Sequence, residues 1–170
     1  MENEKPNAMN ITPTGRNIIV TININIQETG EGWVCDSLSK AVDHFPTKQD
    51  VVKIVNDYIN AKTDAKILSG FVWRDKPVYL SSENQFNFKC AYDLAHQTNG
   101  ATLPARYKLG EDENGMPVYH TFENLETFQD FYLGCVQWIQ KCINDGWDEK
   151  DSIDYDKIIG KSGIKDEDEV

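Results

Sequence analysis

No run in this 170-residue chain approaches the roughly 20 consecutive apolar residues that a bilayer-spanning helix needs. The start, MENEKPNAMNITPTG, lacks the apolar stretch of a secretory signal, so none is expected there. Basic charge is scarce: 17 Lys and Arg stand against 28 Asp and Glu, a formal charge of −11. A nucleic-acid binder recruits phosphates with a basic face. None is visible, and the expectation is no nucleic-acid partner and no membrane. The acidity reads as solubility plus an acidic tail. Cysteines are sparse, at 35, 90, 135 and 142, with neither CxxC spacing nor the density of a disulfide scaffold. Cys135 and Cys142 would lie about 10 Å apart along one helix, too far to bridge. Buried free thiols in a reducing cytoplasm are the expectation.

Catalytic signatures are missing too. His44, His96 and His120 form no local metal pattern, and His120 with Glu123 would need a third ligand. No serine sits in a GxSxG elbow. Gly160-Lys161-Ser162 lacks the upstream glycine of a phosphate-binding loop. The acids Glu111, Asp112 and Glu113 lack EF-hand spacing and an ordered partner. The chain is therefore expected to be no enzyme, with no catalytic residue, no metal and no cofactor.

What is present is patterning. Asn17–Gln27, NIIVTININIQ, places Ile18, Val20, Ile22, Ile24 and Ile26 on one side of a strand and mostly polar residues on the other. At about 36 Å if fully extended, it is longer than usual, which calls for a bend, a bulge or distant pairing. Glu28–Gly32 supplies a turn, and Gly-Trp-Val-Cys returns as a short strand, giving a hairpin over 17–35. Five aligned β-branched residues would invite aggregation unless covered, either by this chain's helices or by another subunit. The candidate interface is accordingly Ile18, Val20, Ile22, Ile24, Ile26 and Trp33, with Trp147 in the C-terminal extension.

Ser37–Phe45 reads as a short helical turn ending before Pro46. Thr47 and Asp50 form a capping box for a helix over about 48–62, reaching toward 68, which Gly70 stops. Phe71–Trp73 and Pro77–Leu80 are short strands around Arg74-Asp75-Lys76. Ser82 with Gln85 caps a helix over 83–97, with Ser81 and Asn84 as the competing register, and Phe86, Cys90 and Leu94 present its apolar face. Residues 110–115, GEDENG, form a turn before a strand at Pro117–Thr121. A helix over 125–145 repeats Phe128, Phe131, Tyr132, Cys135, Val136, Ile139 and Cys142, with Gly134 allowing close packing and Gly146 as the stop. The fold class is α+β, with three main helices and short antiparallel β-hairpins. Its parts are a flexible segment 1–15, an extended interface segment 16–46, a central α+β domain 47–146 and an acidic extension 147–170.

The helix into Ile67-Leu68-Ser69-Gly70-Phe71, the hairpin Val72–Leu80 and Ser82-Glu83-Asn84-Gln85 opening a helix resemble the phage tail-associated DUF4376-type domain. Phe122-Glu123-Asn124-Leu125-Glu126 before a long helix extends the likeness, which covers about residues 48–145. The resemblance implies a structural role in bacteriophage tails or tail-fibre assembly and carries no catalytic residue across. The Ile-rich strand, the segment Leu103–Thr121 and the acidic extension depart from it. The expected function is a non-enzymatic phage structural or tail-assembly protein. It would act through self-association or contact with phage structural proteins, in the virion or in the host cytoplasm during assembly. One alternative is a module binding carbohydrate or another ligand through Trp33, Trp73, Trp138 or Trp147. A small cytoplasmic enzyme using His120 or an acid is the other.

Overall fold

The computed structural model describes residues 4–160 and 162–164. Lys161 of the Gly-Lys-Ser triplet, the tail end 165–170 and residues 1–3 lie outside them. The fold is mixed α+β, with four helices and short antiparallel sheets among the described residues. It divides into two compact units, 1–60 with 148–170, and 61–147. The divisions fall inside helices, whereas sequence patterning placed them at 46/47 and 146/147. No helix of the described residues is long and apolar enough to cross a membrane.

The first unit holds a three-stranded antiparallel sheet in the order β1 (Met9–Thr14), β2 (Asn17–Thr29), β3 (Gly32–Val42). Residues 9–14 were expected to be loose and instead pair with β2 from Met9↔Ile22 to Thr14↔Asn17. The reason is the link. Gly15, at φ +61, opens a two-residue loop with Arg16, and glycine at that position suits a turn whose twist matches the strands. The second loop is as short, Gly30-Glu31, so the return strand runs through Val42. Ser37–Phe45 is therefore not helical: Leu38 pairs with Ile22 and Val42 with Ile18, and this pairing overrides local preference.

The length of β2 is accommodated by a bulge. Ile24 pairs with Asp36 but Gln27 pairs with Val34, so two residues oppose one, and Asn25 takes φ +54. Val20, Ile22 and Ile24 are buried against Val51, Ile54, Val55 and Ile59 of α1 (Lys48–Ser69). Each such side chain contributes about 1.5–3 kcal/mol when fully buried. Ile153, Tyr155, Ile158, Ile159 and Ile164 close the same cluster; α4 (Tyr155–Ile159) is capped by Asp154, which accepts from Lys157 N at 3.0 Å. The capping box of α1 forms as expected. Asp50 N donates to Thr47 Oγ1 at 3.2 Å and Thr47 N donates to Asp50 Oδ2 at 2.8 Å.

The second unit contains the end of α1, the hairpin β4 (Phe71–Trp73) and β5 (Lys76–Val78), α2 (Ser82–Gln97), the hairpin β6 (Ala105–Glu111) and β7 (Pro117–Phe122), and α3 (Leu125–Asp151) to Trp147. Its core is aromatic. Phe122 stacks on Phe128 at 4.4 Å between centroids, and Phe131 meets Phe88 and Trp73 edge-on at 5.0 and 5.2 Å. Gly70 ends α1 as expected. A Cβ there would stand 2.6 Å from Lys66 O and 2.8 Å from the Trp138 ring. Gly110 lies in β6 rather than in a turn, paired with Val118, where a Cβ would meet Pro77 O at 2.6 Å; the turn itself is built by Asp112, whose Oδ1 accepts from Asn114 N and Met116 N. Gly146 does not stop α3. The helix continues through it with Thr63 packed against the bare Cα.

The cap of α2 is the competing register. Ser81 accepts from Asn84 N at 3.2 Å, while the Gln85 side chain donates to Leu80 O. Its buried face is also rotated from the expected one. Phe88 and Ala95 are buried, whereas Phe86, Cys90 and Leu94 are exposed. Residues two apart lie roughly 200° apart around a helix, so the 86–90–94 stripe faces away from the core that the 88–95 stripe fills.

Candidate functional site

Of the candidate interface residues, Val20, Ile22 and Ile24 are between 0% and 4% exposed and belong to the chain's own core. β2 is paired with β3 on one edge and, over Asn17–Ile22, with β1 on the other, so the backbone beneath Ile18, Val20 and Ile22 is already committed within the chain. Ile18, Ile26 and Trp33 are half-buried, with Lys5 Nζ 5.3 Å from the Trp33 ring centroid. Trp147 is exposed.

Trp73 and Trp138 are both committed to the second unit. Trp73 is buried, donates to Asp130 Oδ2 at 3.0 Å, and carries the Arg74 guanidinium over its ring at 4.7 Å. Arg74 bonds the same Asp130 oxygen at 2.9 Å, which holds the β4–β5 turn where both Arg74 and Asp75 take positive φ. The Trp138 indole donates to Lys66 O at 3.2 Å and stacks on Phe71, so it closes the C-terminal end of α1.

Apolar side chains are also exposed on α2 and α3. Phe86, Phe88, Tyr132, Cys135, Val136 and Ile139 line one groove, about 320 Å³ in volume. Phe86 and Val136 are 66% and 44% exposed, and Leu133 and Leu94 are open on the same two helices. Single exposed apolar residues are ordinary; two that open into one groove beside further apolar side chains offer a contact surface. Sequence patterning misses this because helical spacing assigns Phe86, Leu94 and Val136 to the core. The readable signal was that α2 carries two apolar stripes, only one of which a single core can bury.

A second cleft in this unit, about 640 Å³, is lined by Ser69, Tyr79, Ser81, Asn84, Lys108 and Glu111 among others. Three of its polar side chains are held by structural partners. Ser81 caps α2, Asn84 donates to Tyr79 O at 2.8 Å, and Lys108 pairs with Glu111 at 2.6 Å.

The titratable groups are dispersed. His120 sits between Trp73 and Phe122, at 4.9 and 4.7 Å between centroids, with its Nε2 buried and unbonded. Burial, then the charges of Lys76 and Arg74, hold its pKa below the ordinary value. His44 is the opposite case: its ring N–H groups donate to the carboxylates of Asp43 and then Asp50, each 2.9 Å away, which holds its pKa above the ordinary value. Among the described residues no group of three His, Cys, Asp or Glu converges as metal ligands would. All four cysteines are free. Burial pushes the Cys135 thiol up to about 12 and Cys142 upward, but Cys35 is half-buried and Cys90 exposed, so the expectation of four buried thiols holds for two.

Comparison with known protein families, with curated proteins and with solved structures finds no match to this chain.

Proposed function

We propose that this chain is a non-enzymatic structural or assembly protein of a bacteriophage tail, working through protein–protein contacts. The observation that carries the contact-based reading is the α2–α3 groove, where Phe86 and Val136 stand open beside Tyr132 and Ile139. A helix whose second apolar stripe faces solvent gains stability by burying it against a partner. The phage setting rests on the likeness of the 48–145 elements to tail-associated domains. The work is done in the virion or in the host cytoplasm while tails are built.

The test is genetic and structural together. The coding sequence is deleted, or Phe86→Asp and Val136→Asp are introduced, in the parent genome, and the particles are imaged by electron microscopy. Tails should be missing or malformed with heads intact. Normal tails and undiminished infectivity would reject the reading, as would a parent genome without phage structural genes.

A further inference from the structure

We infer that β3 is a self-association edge: two copies of this chain pair their β3 strands antiparallel about a two-fold axis through Leu38, joining two three-stranded sheets into one of six. The inference rests on the contact-based reading above and names the partner as a second copy.

β2 is paired with β3 and, over Asn17–Ile22, with β1, and its stretch beyond β1 is broken by the bulge, so the regular outer edges of the sheet are those of β1 and β3. The two edges are not equivalent. β1 has six residues and carries Pro13, which lacks an N–H and blunts the edge. β3 has eleven residues and no proline, and the extra residue of the bulge is on β2, so β3 keeps an unbroken outer row. Among the described residues β2 is the only strand it pairs with.

Two-fold antiparallel pairing sets each residue opposite one whose number gives a constant sum. About Leu38, Asp36 meets Lys40 of the copy, Val34 meets Val42, Ser37 meets Ser39 and Cys35 meets Ala41. Moving the axis by one residue sets Asp36 against Leu38 or Val42 and leaves both charges without an opposite partner, and moving it by two sets Asp36 against Asp36 or Lys40 against Lys40, like charges directly opposite. Charge complementarity therefore selects the Leu38 register. The pairing also covers Val34, which is 59% exposed. Lys40 is available for it: its contact with Asp57 is 3.6 Å, while Lys53 holds the same Asp57 oxygen at 3.0 Å. Asp36 engages one carboxylate oxygen with Asn25 Nδ2 at 2.8 Å.

The test measures the mass of the full chain by light scattering and sedimentation across concentration, with circular dichroism confirming each variant's fold. Wild type should form a dimer. Lys40→Asp and Asp36→Lys should each weaken it by about tenfold or more, and an equimolar mixture of the two should regain a 1:1 dimer, since each strand then meets its opposite charge. Independently of the charge variants, Ala41→Cys should form an oxidant-dependent dimer through Cys35 of the second copy that Cys35→Ser abolishes. A wild-type chain that stays monomeric at all concentrations overturns the inference, and so does a dimer that neither variant weakens and Ala41→Cys does not cross-link. Incorporation of the same variants into phage particles is scored separately. A chain monomeric alone yet present in tails removes β3 pairing and keeps the assembly role; a β3 dimer absent from particles does the reverse.

Discussion

The side-chain amide of Asn23 donates to the backbone carbonyl of Asn7 at 2.6 Å, while its backbone N–H donates to Ala8 O at 2.8 Å. Asn23 is the buried polar residue of the first unit's core, 7% exposed. Both bonds tie residues 7 and 8 to β2. Asn23→Ala removes a donor and leaves the Asn7 carbonyl without it, which should lower stability by about 1–3 kcal/mol. Chemical denaturation checks this, and proteolysis should then cut the segment before Met9 sooner than in wild type. Unchanged stability and cleavage would show that the amide contributes nothing.

Thr63 packs where a Cβ on Gly146 would stand, with Oγ1 2.5 Å from that position. Alanine is the better helix former by about 1 kcal/mol, but a β-branched neighbour is stiff and yields poorly. Gly146→Ala should therefore destabilise by about 1–3 kcal/mol. Thr63→Ala in the same chain should relieve the overlap, so the double variant should be more stable than Gly146→Ala alone. Additive effects in the double-mutant cycle would remove the steric account.

Ser81, not Ser82, caps α2. Ser81→Ala should cost about 1 kcal/mol and Ser82→Ala no more than about 0.5. Thermal melts of the two single variants distinguish them, and equal losses would contradict the cap geometry.

His44 gives a pH dependence whose direction is set by its two carboxylate neighbours. Its pKa is raised by Asp43 and Asp50, so its contribution is fully present below about 6.5 and is lost as pH rises through the higher folded value. Asp43 is lowered by His44 first. Asp50 is pushed up by burial, but its bonds to Thr47 and His44 outweigh this and leave it lowered. The carboxylate contribution is thus present above about 3.8 and is lost as pH falls through the lowered values. The three groups should stabilise together between those limits. His44→Asn should flatten the decline of melting temperature above pH 6.5, an effect that high salt shrinks because the histidine is exposed. An NMR titration placing His44 at or below 6.5 would contradict the arrangement.

Much of this fold was legible because its signals are local. Thr47 with Asp50, the Gly70 stop, the 17–27 alternation and the aromatic face of α3 each depend on residues within a turn or two of one another. The misreadings have a common cause in contacts made at long range. Ser37–Val42 is a strand because Ile18 and Ile22 lie opposite it; Gly110 and Gly146 are small because Pro77 and Thr63 press on them. On α2, Phe86 and Phe88 are equally apolar, and only the location of Phe131 decides which is buried. The apolar stripe of β2 suggests a contact surface for the same reason. A long apolar stripe announces that something will cover it, and α1 does.

The three strands of the first unit follow one another through two-residue loops, so their pairings close over very short stretches of chain. Such contacts carry little loop-closure entropy and form early in folding. The covers for Val20, Ile22 and Ile24 come from residues 51–59 and 153–164, the latter more than a hundred residues later in the sequence. During synthesis the sheet's apolar face therefore exists before its last cover has left the ribosome. Refolding yield should accordingly fall as protein concentration rises, with aggregation starting from that uncovered face.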